Sequence, residues 1–266
     1  MTDSPSMMTA ERDAPLWLLA IIGAVAGVLS GLFGVGGGVL IVPALVLIFG
    51  LQQRIAHGTS LAAVVPISIV GAVTYLLHGS VDLHVAGLMM LGTVAGAMWG
   101  VRLLDWIPQG ILRWLFITFM FFVAFRMFIE VPARDVDIDQ TVLLAVGLVG
   151  IGLATGILSG LLGVGGGVFM VPVMVVFLGM GDLTAKGVSL LVVIPTGLVA
   201  TYFSMRKGNV NLRSAATIGI TGALTSVGGA ALAFLLDPQL ASILFAAFLV
   251  VIGLRMAIHA TKKKPS

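Results

Sequence analysis

Gly34, Gly36, Gly37 and Gly38, with Pro43 close behind, recur 129 residues later as Gly163, Gly165, Gly166, Gly167 and Pro172. The two stretches, GLFGVGGGVLIVPAL and GLLGVGGGVFMVPVM, are identical at 10 of 15 positions, and each lies inside a long uncharged run. Neither holds a nucleophile, an acid or a base. What a triple glycine offers is its main chain. Each Gly costs roughly 1 kcal/mol against Ala in a helix interior, so three in a row mark a break. The residues that follow, Val39 to about Phe49 and Val168–Leu178, then read as new short helices. A helix N-terminus presents unpaired N–H groups and about half a positive charge. Glycine backbone can turn sharply and let an anion come close. The chemistry this pattern predicts is capture of a small anion by main-chain donors.

The residues around the breaks add side-chain chemistry. Thr59, Ser60 and Ser189 supply hydroxyls, and His57 and Lys186 fall on the same position of the two copies. Pro66 and Pro195 sit inside the next apolar run and free the carbonyls of Ala62 and Leu191. Taken singly, each residue has a plainer reading. Glycines let membrane helices pack closely, prolines kink them, and Arg126 and Arg255 snorkel from helix ends. His57 and Lys186 read more readily as solvated loop residues than as ligands. The repetition of the whole cluster is what favours a binding site. No Ser/His/Asp set and no His/Glu spacing points to a hydrolase or a metal, and no Lys-Ser/Thr follows the glycines as in a phosphate loop. The expectation is a protein that is not an enzyme and uses no cofactor and no metal.

Those elements must sit in a bilayer. Charged residues are only 9% of the chain, against about 25% in soluble domains, and uncharged runs of the ~20 residues needed to span a membrane recur along it. The first apolar run is not read as a signal peptide, because it continues through the glycines and the same pattern recurs mid-chain. The offset of 129 holds without gaps: Gly58, Ser60, Leu61 and Pro66 fall on Gly187, Ser189, Leu190 and Pro195. The chain therefore divides into an N-terminal segment 1–13, a first repeat 14–129, an acidic linker 130–139, a second repeat 140–259 and a basic tail 260–266. Each repeat reads as a Gly-broken helix pair, re-entrant or twice-spanning, plus three spans. These are about 58–78, 84–102 and 110–129 in the first, and 187–206, 213–236 and 238–258 in the second.

Loop charge orients the repeats. The basic loops of the first lie around Arg54 and from Arg102 to Arg113; those of the second are Arg206-Lys207-Arg213 and the tail, which are not their equivalents. By the positive-inside rule the repeats are inverted, with both termini cytoplasmic. That arrangement places 11 Lys/Arg inside and three (Arg126, Arg134, Lys186) outside. It expects an all-α polytopic membrane protein with the two glycine breaks facing each other near the midplane. The basic residues are spread over loops, as orientation requires, and nucleic acid is not expected as a partner. Asp82, Asp105, Asp182 and Asp237 all fall at loops, so a carboxylate proton relay has no carrier within a span.

At these residues the chain resembles the TauE/SafE family of sulfite exporters. The resemblance rests on the G-[LF]-x-G-[IV]-G-G-G-x-x-x-V-P motif in each half and on Ala56-His57-Gly58-Thr59-Ser60-Leu61, with Val188 standing where Thr is common in the second copy. It covers nearly the whole chain. It implies an inner-membrane secondary transporter moving small sulfur-containing anions such as sulfite or sulfonates outward, by alternating access between the repeats. The alternative on the same scaffold is a channel-like anion conductor or a carboxylate or oxyanion transporter. Expected partners are the anionic substrate and the lipid bilayer, with a homo-oligomer left open.

Overall fold

The computed structural model describes residues 15–103, 114, 117–118, 121–122, 124–125, 142–162 and 165–262. Gly163, the segment 1–13, the linker 130–139, most of the span read at 110–129 and the tail beyond 262 lie outside the described residues. The described chain is helical and contains no strand. In order the helices are α1 (Leu16–Phe33), α2 (Gly38–Phe49), α3 (Gln53–Leu77), α4 (Leu83–Leu103) and α5 (Val142–Leu162). They continue as α6 (Gly167–Leu178), α7 (Asp182–Arg206), α8 (Leu212–Leu235) and α9 (Pro238–Lys262). Among the described residues, six helices are long and apolar enough to cross a membrane: α1, α3, α4, α7, α8 and α9. Lipid offers a peptide group no hydrogen-bond partner, so apolar sequence there must close its own backbone bonds as helix. The protein is a multi-pass membrane protein.

The short helices begin where the glycines end, at Gly38 and Gly167, as the sequence pattern requires. By contrast, α3 and α7 begin about five residues earlier than the span estimate, at Gln53 and Asp182. His57 and Lys186 therefore lie inside helices rather than in loops. Polar helix starts such as QRIAH and DLTAK lower the local hydropathy, which hides the first turn from a hydropathy reading. It is tertiary packing that keeps these turns helical.

The halves exchange partners. Along α1, Gly23, Gly27 and Gly31 lie against Ile218, Gly222 and Ser226 of α8, where any Cβ would collide with the facing carbonyls. Along α5, Gly152, Gly156 and Gly160 lie in the same way against Met89, Thr93 and Ala97 of α4. Every one of these pairs maps onto another at the offset of 129, with the partners interchanged. That reciprocity is the signature of a twofold relation. The close approach is the small-residue packing of membrane helices, in which removing the side chain lets backbones touch.

The order of contacts fixes direction. Residue numbers rise together from α1 to α8, and also from α3 to α8, where Thr59 meets Asn211, Pro66 meets Gly219 and Ile67 meets Gly222. Helices α1, α3 and α8 thus run parallel. Between α3 and α7 the numbers oppose: Leu61 and Val65 face Gly197, while Gly71 faces Leu190. The two equivalent helices cross antiparallel. Since α1 and α3 point the same way, α2 must lead the chain back, and Gly37 indeed packs on Ala26, well back along α1. At the end of α1, Phe33 stacks on Phe245 and Phe248 of α9, with ring centroids 4.9 and 5.7 Å apart.

The glycine seams generate a testable expectation. Gly27→Leu or Gly156→Leu drives a side chain into a facing main chain and costs more than the about 1–3 kcal/mol of ordinary overpacking. Either variant is expected to lose most of its monodisperse folded protein in size-exclusion and thermal-unfolding assays. Gly87→Leu, at a position with nothing within 4 Å, is expected to behave like the native chain.

Candidate functional site

Each break passes through two consecutive glycines in a backbone conformation that favours glycine. Gly36 and Gly37 have φ of 76° and 81°, and Gly165 and Gly166 have 84° and 82°. That is the left-handed region, which costs other L-residues about 1–2 kcal/mol. Gly37 and Gly166 are the N-caps of α2 and α6, and no side chain caps either helix. Their carbonyls accept the first helical bonds, from Leu40 and Ile41 in one copy and from Phe169 and Met170 in the other. The N–H groups of the first turns, at Gly38 and Val39 and at Gly167 and Val168, precede any intrahelical acceptor.

The two breaks meet. A Cβ on Gly36 would stand 2.9 Å from Val64 Cγ1 and 3.4 Å from Val193 Cγ1. One on Gly165 would stand 3.1 and 3.4 Å from the same two atoms. Val64 and Val193 are themselves 129 residues apart, so the twofold relation passes between them. Gly167 lies on the backbone of Gly34 and Val35, which joins the second helix start to the first break. The sequence pattern located both breaks; it did not single out the valine pair on which they converge.

Hydroxyls surround the meeting point. Ser68 Oγ lies 3.4 Å from the Cβ position of Gly36, and Ser159 Oγ lies 3.5 Å from that of Gly166. Ser30, Ser60, Ser68 and Ser159 are fully buried, and their Oγ atoms have no hydrogen-bond partner. A buried polar group without a partner costs about 1–3 kcal/mol, and two of these four, Ser68 and Ser159, lie beside glycines of the breaks. Ser30 and Ser159 are equivalent at the offset of 129, a signal the sequence carried but that was hidden among small residues in the apolar runs. Thr196, also buried, donates to the Val192 carbonyl at 2.8 Å.

The predicted side chains divide into two groups. Ser189 Oγ donates to the Gly34 carbonyl at 2.8 Å, and Thr59 Oγ1 accepts the Asn211 N–H at 2.9 Å. Both tie one repeat to the other. Ser60 and the Nδ1 of His57, in contrast, are buried on α3 without partners. His57 is 7% and Lys186 2% exposed, which corrects the reading of both as solvated loop residues. Packing of each helix start against the opposite repeat is what buries them. The loop placement of Asp182 is corrected as well. It is the first residue of α7, is 3% exposed, and pairs with Lys186 at 2.7 Å.

The prolines lie within the helices. Pro43 and Pro172 are the sixth residues of α2 and α6, freeing the carbonyls of Val39 and Val168, and Pro66 and Pro195 lie within α3 and α7. Freed carbonyls are acceptors and give an anion nothing; they loosen the helices instead. Pro43 lines a cavity of about 630 Å³ along α2, shared with Leu47, Gln52, Gln53 and Arg255. Among the described residues no group of three or more His, Cys, Asp or Glu is placed to hold a metal ion.

The comparisons with known proteins agree with this architecture. The model of the family described as "Sulfite exporter TauE/SafE" matches residues 3–127 and 148–266. A protein of Bacillus subtilis named "Probable membrane transporter protein YunE" is 24% identical, over 73% of this chain and 80% of its own length. Another from the same organism, "Probable membrane transporter protein YdhB", is 29% identical over 67% and 74%. A "Probable membrane transporter protein" of Xylella fastidiosa is 32% identical over 75% and 79%. No solved structure matches the chain. The chain, with a glycine break at the heart of each half, belongs to the sulfite exporter TauE/SafE family of membrane transporters.

Proposed function

We propose that this protein is a secondary transporter that moves small sulfur-containing anions, sulfite or short sulfonates, out of the cell by alternating access between two inverted repeats. The observation that carries the reading is the convergence of Gly36 and Gly165 on one Val64–Val193 contact, with an uncapped helix N-terminus behind each. Two helix starts contribute about half a positive charge each, and Ser30, Ser60, Ser68 and Ser159 add unused hydroxyls. Donors without a formal charge suit a small anion that must be held and then released. Binding has to be strong enough to enter and weak enough to leave.

The antiparallel crossing of α3 and α7 supports the inverted arrangement, and the loop charges put the start of α3 and the end of α7 on the cytoplasmic side of an inner membrane. Both termini are then cytoplasmic. A monoanion leaving a cell whose interior is negative gains about 2.3 kcal/mol per 100 mV, so export needs no coupling ion. In this reading one repeat rocks against the other about the valine contact, and the glycine hinges and helix prolines absorb the change. Transport of the anion, rather than its chemical conversion, is the activity.

Flux measured in proteoliposomes tests the site. Gly36→Val together with Gly165→Val is expected to cut sulfite uptake and counterflow at least tenfold. Gly50→Val places the same change at a left-handed glycine with nothing within 4 Å and is expected to keep most of the flux. Equal rates in the two variants would remove the breaks from the transport path.

Orientation is tested separately. The chain has no cysteine, so single cysteines can be introduced at the equivalent positions His84 and Arg213, at the starts of α4 and α8. In intact cells His84→Cys is expected to react with an impermeant maleimide, and Arg213→Cys only after permeabilisation. Labelling of both from one side would refute the inversion.

A further inference from the structure

The twofold relation is broken chemically at the starts of α3 and α7. At the start of α7, Asp182 and Lys186 form an ion pair at 2.7 Å, with 3% and 2% of their surfaces exposed. The equivalent positions on α3 are Gln53 and His57, where no such pair exists. An Asp in the first turn of a helix with a Lys four residues on is ordinary on a wet surface, where it contributes little to stability. Buried, the same pair pays a large desolvation cost for each ion, which makes it weak evidence for stability. It calls for another reason.

Its position supplies one. Lys186 lies against the first glycine break: a Cβ on Gly34 would fall 2.6 Å from Lys186 Cα and 2.8 Å from its Cβ. One turn further, Ser189 holds the Gly34 carbonyl, and Tyr75 Oη donates to the Gly31 carbonyl at 2.8 Å. This end of the break is thus fastened by α3 and α7 and carries a cation with its own carboxylate. On α3 the equivalent serine and imidazole, Ser60 and His57 Nδ1, are buried without partners. An anion crossing from the α3 start to the α7 start meets neutral donors first and a neutralised lysine last.

We infer that Asp182 is a tethered competitor for the transported anion at Lys186. The anion takes the Lys186 ammonium from Asp182 as it passes the first break, and recapture of the ammonium by Asp182 expels it. No proton or electron is transferred; one ion pair is exchanged for another and then restored. Lys186 is the cation that the anion touches, and Asp182 sets how tightly it is held. The inference rests on the transport reading for its direction, and not for the competition itself.

The test measures affinity and turnover together. In Asp182→Asn, which keeps the side-chain shape and an acceptor oxygen, the KM for sulfite flux is expected to fall by about tenfold, the scale of one charge-assisted hydrogen bond, while kcat also falls. In Lys186→Gln the KM is expected to rise by a similar factor. The neutral double variant Asp182→Asn/Lys186→Gln leaves no unpaired buried charge and serves where a single variant does not fold; its KM is expected to rise about threefold or more. A merely structural pair would change the yield of folded protein and leave KM per folded molecule as it was. An unchanged or raised KM in Asp182→Asn, or an unchanged KM in the double variant, overturns the inference. Stabilisation of purified protein by sulfite against heat, which follows binding alone, is read in parallel. Half-saturation at lower sulfite in Asp182→Asn than in the native chain supports the competition even if native flux is absent. Native flux with identical half-saturation in both would keep the transport reading and discard the competitor.

Discussion

A break in a membrane helix exposes peptide groups that lipid cannot satisfy, and the rest of this molecule is arranged around that constraint. Non-helical backbone survives at this depth only when protein surrounds it. Here each break is walled by the other one. Gly167 lies on the backbone of Gly34 and Val35, and both middle glycines rest on Val64 and Val193. To bring two breaks so close, the helices that carry them must be drawn inward. The glycine seams of α1 on α8 and of α5 on α4 do this by letting main chains touch. The seams are the reason a chain with 35 glycines holds together.

Burial of polar groups follows from the same geometry. Drawing α3 and α7 across each other carries their polar first turns away from water, which is how His57, Asp182 and Lys186 become buried. Some of these groups find partners across the repeats, as Thr59 does with Asn211 and Ser189 with Gly34. Others do not, and two of the unpartnered ones, Ser68 and Ser159, lie beside the break glycines. Structural ties and unpartnered hydroxyls thus occur on the same two helices, α3 and α7. A single serine type serves as a tie in one copy, at Ser189, and as a free donor in the other, at Ser60.

Much of this was legible in the chain. The repeat at 129, the short helices after the glycines and the membrane class all followed from composition and spacing, because glycine, proline and uncharged length act locally. The crossing partner of each break was not legible, since Val64 and Val193 are valines like many others and only a third dimension distinguishes them. The burial of Asp182 is hidden from the sequence for a related reason. Hydropathy sees the polarity of a turn and reads it as a loop, whereas its burial is decided by what the opposite repeat lays over it. Ser30 and Ser159 were recoverable in principle, as a matched pair at the repeat offset, but a small hydroxyl gives no hydropathy contrast in an apolar run.

The exchange of partners between halves also has a consequence for how the chain is made. Helix α1 presents its bare glycine face to α8, whose first residue is synthesised roughly 180 residues after α1 ends. At about 5–20 residues per second, that is roughly 10–40 s during which the seam has no mate. The nascent first half therefore waits in the bilayer with its glycine face unpaired until the fourth helix of the second repeat arrives.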